Sequence, residues 1–261
     1  MRVLVATAVL VERDAVAAAF APSPTREYAI PGATLSRVVP TEGGPLVFDM
    51  LAAGVGPAAA AAATAAALTA AALNEQTGEQ TGEQTGEQTH DRTSGPYNLV
   101  VSVGIGGGFQ PEAPVGSLVL ADEITVADLG AETADGFVPV TELGFGAVTH
   151  RPPESLVRAV AAVTGARTGA VLTVNTVTGS ADRAAELRRR HPQALAEAME
   201  GFGVAEAATA HGVPVLELRA VSNPVGPRDR AAWRIGDALA ALTGAFGKLA
   251  PALESWNPHD R

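Results

Sequence analysis

Asn98-Leu99-Val100-Val101-Ser102-Val103-Gly104-Ile105-Gly106-Gly107-Gly108 is the stretch on which the fold reading turns. Its first six residues are mostly β-branched or apolar with no polar alternation, the pattern of a strand covered on both faces. The glycines that follow predict a tight turn at residues 104–108, where backbone can approach a ligand closely. The stretch lacks the G-x-G-x-x-G spacing of a dinucleotide fingerprint, and no Walker lysine follows. By itself it is compatible with a structural turn or a ligand-contacting one.

Outward from it the same alternation recurs. Upstream, residues 2–8 read as a first buried strand, 11–20 as a short helix, and 34–40 and 45–53 as two more strands. Ala53-Gly54-Val55-Gly56-Pro57 then leads into an Ala-rich helix to about Leu73, with Pro57 in the first turn, where its missing N–H costs nothing. Downstream, strands are predicted at 117–124, 169–175 and 214–221, and helices at 154–164, 181–190, 201–211 and 230–249. Strands alternating with helices give an α/β fold, expected as one three-layer domain with a central mixed sheet flanked by helices. Ligands in such folds collect at the carboxyl ends of strands.

One segment does not fit. Residues 75–89 repeat Glu-Gln-Thr with glycines at Gly78, Gly82 and Gly86. That polar composition cannot bury a core, and residues 75–95 are expected to be a disordered insertion.

Composition excludes several classes. Of the 261 residues 47% are hydrophobic but only 4% aromatic, so Ala, Val and Leu must do the packing. The formal net charge of −10, with no long basic run, argues against a nucleic-acid partner. Cysteine is absent, which removes disulfides, thiol nucleophiles and thiolate metal sites. His90, His150, His191, His211 and His259 show no metal-ligand spacing, so neither a metal nor another cofactor is expected. The apolar start runs straight into Glu12-Arg13-Asp14 and reads as a strand rather than a signal peptide. The Ala-rich stretch 57–73 is expected to be too short and weakly hydrophobic for a membrane span, so a cytoplasmic protein is expected.

Four places carry candidate chemistry: Glu12 just beyond the first strand, the glycine run 104–108, Ala198-Met199-Glu200-Gly201 opening a helix, and Arg219-Ala220-Val221-Ser222-Asn223 at a strand end. Each has a bland reading. Glu12 fits a solvated helix start, Glu200 a favourable contact with a helix dipole, and Arg219 a structural ion pair. In this order, however, they resemble the nucleoside-phosphorylase and nucleosidase superfamily, above all its methylthioadenosine/S-adenosylhomocysteine nucleosidase branch. Leu172-Thr173-Val174-Asn175-Thr176-Val177-Thr178-Gly179 and Ser222-Asn223-Pro224-Val225-Gly226-Pro227-Arg228-Asp229 are similar to a sub-family whose nucleoside carries a carboxylated aryl group on its 5′ side.

The resemblance implies metal-free cleavage of an N-ribosidic bond, on a small-molecule purine nucleoside, by a homo-oligomer, expected as a dimer. It implies that Glu12 activates water, that Met199 and Glu200 hold the ribose, and that Arg219 orders the water and carboxylates. Ser222 and Asn223 would handle the leaving base, Val177 and Thr178 would line its pocket, and Ile105, Gly106 and Gly107 would contact the substrate. Asn at 223, where adenine-cleaving relatives carry Asp, offers a fixed donor and acceptor and suits a 6-oxopurine such as hypoxanthine. Arg228 and Arg230 are candidates to pair with a substrate carboxylate. With no Arg or Lys in or beside residues 104–108, a phosphate site is not expected, so hydrolysis is favoured over phosphorolysis. Two alternatives stay open: a purine nucleoside phosphorylase, and a non-catalytic nucleoside-binding module.

Overall fold

The computed structural model of the protein describes residues 1–41, 44–85 and 96–256, with backbone alone for 75–85. The chain opens with β1 (Arg2–Thr7), α1 (Leu10–Ala17), β2 (Thr25–Ile30), β3 (Ala33–Val38), β4 (Val47–Ala52) and α2 (Pro57–Thr85). It continues with β5 (Leu99–Gly108), β6 (Leu118–Val126), β7 (Gly130–Thr133), β8 (Gly136–Pro139), β9 (Thr149–His150), α3 (Glu154–Thr164) and β10 (Arg167–Thr173). It ends with α4 (Ala181–Arg190), β11 (Ala194–Ala198), α5 (Gly201–Ala210), β12 (Val215–Pro224) and α6 (Ile235–Ser255).

The central sheet is mixed, as expected, in the order β11-β10-β6-β12-β5-β1-β4-β3-β2, with β9 on β6 and β7–β8 as a separate hairpin. β11 also pairs with β5, which closes β5, β12, β6, β10 and β11 into a ring. Both faces of the sheet are covered. Val3 and Val5 point into a core shared with α3 and α6, while Leu4 and Ala6 point into a second core shared with α2 and α5. That is why these strands read as continuous apolar runs rather than alternating ones. A Cβ on Gly203 would fall 2.0 Å from the Pro57 carbonyl oxygen, so α5 lies on α2 at a distance that only glycine permits.

Several expectations are corrected. Residues 104–108 are not a turn. β5 runs on through Gly108, pairing in parallel with β12 and antiparallel with β11. The glycines make room for neighbouring strands and site residues instead of reversing the chain. β11 went unrecognised because Ala194–Ala198 is short and alanine-rich, with little β-propensity of its own. The predicted helix at 230–249 starts later: a single 3-10 turn spans Arg230–Ala232, and α6 begins at Ile235 and runs past Pro251.

α2 also runs beyond Leu73 to Thr85, so residues 75–85 of the repeat are helical backbone. Glu and Gln propagate a helix well once it is nucleated. The rest of the expected disordered insertion, 86–95, lies outside the described residues. Contrary to expectation, Pro57–Asn74 is long and apolar enough to cross a membrane by length and composition, with a mean hydropathy of 1.3. In the fold it is a packing helix, burying Ala60, Thr64, Ala67, Leu68 and Ala71 along one face.

Candidate active site

The candidate residues converge at the carboxyl ends of β1, β5 and β12 and at the start of α5. Glu12 lies in the first turn of α1 and bends back over the end of β1. Its Oε2 accepts from the N–H groups of Ala8 at 3.0 Å and Val9 at 3.4 Å. Its Oε1 accepts from the Ile105 N–H at 2.9 Å, which ties α1 to β5. Glu12 is therefore buried, at 4% exposure, and not the solvated helix-start residue its sequence position also allowed.

Arg219 is the hub. It is 1% exposed, and all three of its guanidinium nitrogens are engaged. Nε donates to Glu217 at 2.9 Å, Nη1 to Glu200 at 3.3 Å, and Nη2 to the Ser102 hydroxyl at 3.0 Å. Burial alone would lower its pKa, but the charges of Glu217, Glu200 and Glu12 outweigh that and raise it. A Cβ on Gly104 would sit 2.6 Å from Arg219 Nη1 and 2.7 Å from Glu12 Oε1. Any side chain at 104 would thus occupy the place where guanidinium and carboxylate meet.

Glu200 is the N-cap residue of α5, and its Oε1 accepts from the Gly56 N–H at 3.2 Å. The Gly54–Gly56 loop after β4 is thereby joined to the opposite side of the site. Met199 beside it is half-buried.

Ser222 and Asn223 follow Arg219 along β12. The Ser222 hydroxyl lies 2.9 Å from Asn223 Oδ1, to which it donates, and 3.3 Å from the Gly106 carbonyl. Asn223 Nδ2 donates to the Pro224 carbonyl at 3.0 Å. Gly107 lies between β12 and β11, paired with Asn223 on one side and Glu197 on the other. Thr178 is buried and Val177 is 37% exposed. Arg228 and Arg230 are both exposed and flank the Trp233 ring, at 5.6 and 5.8 Å from its centre. Among the described residues neither makes an ion pair. Arg228 also borders the Thr178 loop, its Cδ 3.8 Å from where a Gly179 Cβ would stand.

Sequence reasoning missed two buried carboxylates. Glu217 is fully buried against Arg219, and burial raises its pKa while Arg219 pulls it down. It stands two residues before Arg219 on an apolar strand, hence on the same face. That spacing was the available signal for the partner a buried arginine requires. Glu197 is 4% exposed and binds Thr178; burial raises its pKa, against the Thr178 hydrogen bonds. It was hidden because β11 was not recognised.

This arrangement of fold and site defines a class. Residues 7–252 match the model of the phosphorylase superfamily, and the chain belongs to that family. Within it, the chain is 70% identical over 261 residues to the futalosine hydrolase of Streptomyces coelicolor, covering all of both chains, which groups it with the futalosine hydrolases. It is 36% identical to that of Thermus thermophilus over 163 residues, covering 59% of this chain and 70% of the relative. Among solved structures, the futalosine hydrolase of Helicobacter pylori superposes with a TM-score of 0.71 at 16% identity, covering 96% of this chain and 97% of the other. The 5′-methylthioadenosine/S-adenosylhomocysteine nucleosidase of S. pneumoniae, bound to a transition-state inhibitor, gives 0.73 at 18% identity, covering 97% and 100%. These two likenesses bear on the fold.

Proposed function

We propose that the chain hydrolyses the N-ribosidic bond of futalosine, releasing hypoxanthine and leaving dehypoxanthine futalosine. The observation that carries the reading is the pair of buried carboxylates, Glu12 and Glu200, gathered around Arg219 with Asn223 on the same strand. The full-length similarity to a futalosine hydrolase supports it.

Cleavage of a purine nucleoside builds positive charge on the sugar and negative charge on the base, and catalysis means binding that separated state best. Glu200 supplies the negative charge that stabilises the cationic sugar and accepts from the ribose hydroxyls, with Met199 against the ring. Glu12 takes a proton from water as the water oxygen bonds to C1′. The C1′–N9 electron pair leaves with the base, which takes up a proton from solvent while Glu12 releases its own to solvent, and Asn223 with Ser222 hydrogen-bonds it. Ile105, Gly106 and Gly107 form the floor, and Val177 and Thr178 the wall at the base. Arg219 holds the carboxylates in place. With its nitrogens already engaged, it offers little to a phosphate, which the carboxylates would also repel.

The reading includes a homodimer, supported by Leu10, Val11 and Val55, at 58%, 55% and 58% exposure beside the site loops. It also includes a cytoplasmic place in menaquinone biosynthesis. The test is to incubate the protein with futalosine and with inosine, with and without phosphate. Phosphate-independent release of hypoxanthine is expected. Formation of a sugar 1-phosphate would make it a phosphorylase, and no cleavage would leave a binding module.

A further inference from the structure

We propose that Glu197 is a positioning residue that sets which purine the cleft accepts, by occupying both hydrogen-bond donors of Thr178 so that this residue meets the base with acceptors alone. The inference rests on the nucleosidase reading above and adds a selectivity device to it.

The register of three strands supplies the geometry. Gly107 on β5 pairs with Glu197 of β11 on one side and Asn223 of β12 on the other. Glu197 and Asn223 therefore stand two strand spacings apart, roughly 10 Å, across a floor with no side chain. The loop after β10 folds over Glu197. The Thr178 N–H donates to Glu197 Oε1 at 2.8 Å, and the Thr178 hydroxyl donates to Oε2. Both residues are 4% exposed, so water does not compete for these bonds. The contact between Arg228 and the Gly179 position brings the loop after Asn223 against the same segment. Thr178 and Asn223 thus belong to one end of the cleft.

A threonine has two donors, its N–H and its hydroxyl, and Glu197 takes both. What Thr178 retains is its carbonyl oxygen and hydroxyl lone pairs. A 6-oxopurine carries a hydrogen on N1 and is complementary to such acceptors. A 6-aminopurine has a bare N1 that needs a donor, and an unpaired buried acceptor is costly. Asn223 discriminates only as far as Ser222 and the Pro224 carbonyl hold its amide, because a turned amide would face either base. A carboxylate on the neighbouring segment breaks that symmetry without touching the base.

The test is Glu197→Gln, which keeps the size of the side chain but turns one oxygen into an NH2 donor. That NH2 donates to the Thr178 oxygen and frees the hydroxyl hydrogen for the base. The ratio of kcat/KM for inosine over adenosine is expected to fall tenfold or more, and the relative affinity for free hypoxanthine over adenine to fall with it. Thr178→Val keeps the N–H bond, frees no donor, and should retain the preference for inosine. Equal losses on both substrates in Glu197→Gln, or an unchanged ratio, would overturn the proposal, as would the same loss of preference in Thr178→Val. If Glu197→Gln does not fold, Glu197→Asp, whose shorter carboxylate releases one donor, carries the same test. A parent protein that cleaves no nucleoside would sink the nucleosidase reading, while the hypoxanthine and adenine affinities of parent and variant would still decide the role of Glu197.

Discussion

Three buried carboxylates, Glu12, Glu200 and Glu217, surround one guanidinium, and their environments divide the work among them. Glu217 has no exposure and accepts from Arg219 Nε, so it serves to hold Arg219. Glu12 is fixed by backbone N–H groups, leaving lone pairs for water. Glu12→Gln keeps the shape and cannot take a proton; turnover should fall by roughly two orders of magnitude with little change in binding, read as the rate of hypoxanthine release. Near-normal turnover would remove Glu12 from the mechanism. Glu200→Gln should cost about 2–4 kcal/mol of transition-state stabilisation, and a 2′-deoxy substrate should be less sensitive to the change. Equal sensitivity of ribo and deoxy substrates would count against Glu200 as the hydroxyl acceptor. At the rim, we propose Arg228 as the partner of the substrate's 5′ carboxylate. Arg228→Ala should then weaken cleavage of futalosine by about 1.5–3 kcal/mol and spare inosine, which has no tail. Matching losses on the two substrates would assign Arg228 a structural role.

Among the elements, β1, β3 and β4 are fastened by a buried cluster distinct from the site. Asp49 on β4 accepts from Arg37 Nε at 2.6 Å, Arg2 Nε at 2.9 Å and the Tyr97 hydroxyl at 2.8 Å. Burial alone would raise the Asp49 pKa, but the Arg37 hydrogen bond and the charges of Arg2 and Arg37 hold it below its ordinary value of 3.8. A depressed folded pKa means that the stabilisation is present above the unfolded value and is lost as pH falls through the folded one. The parent protein should thus lose stability on acidification below about pH 4. Asp49→Asn leaves two buried cations short of their counter-charge and should cost about 3–5 kcal/mol at neutral pH, with a flatter acid limb. Denaturant midpoints of both proteins at pH 3 and pH 7 check this; equal acid sensitivity would refute it. At this scale the sequence was readable where elements are long or evenly apolar: α3 and α4 fall at the expected residues, Glu154–Thr164 and Ala181–Arg190. It was not readable at β11, where five residues acquire strand character from their partners.

For the whole molecule, we propose a single domain in which the repeat segment is an accessory to the sheet. Replacing residues 76–91 by a short Gly-Ser link should leave activity within a few-fold, because the repeat has no apolar anchors. Loss of folding, seen as loss of the cooperative thermal transition, would show that the segment carries structure the core needs. The sequence by itself determined the longer strand and helix runs, though not β2 or β7–β9, and placed Glu12, Glu200 and Asn223 near element ends, because periodicity and turn chemistry are local. It also predicted that Arg219 needed a partner, since a buried charge cannot stand alone. Tertiary structure alone decided that Gly104–Gly108 is a strand, that β11 closes the ring, and that Glu197 claims Thr178. It alone joined Ile105 to Glu12 across 93 residues and Gly56 to Glu200 across 144. The reason is physical: such contacts depend on which strands become neighbours, and strand order is set by global packing of the sheet and leaves no period in the chain.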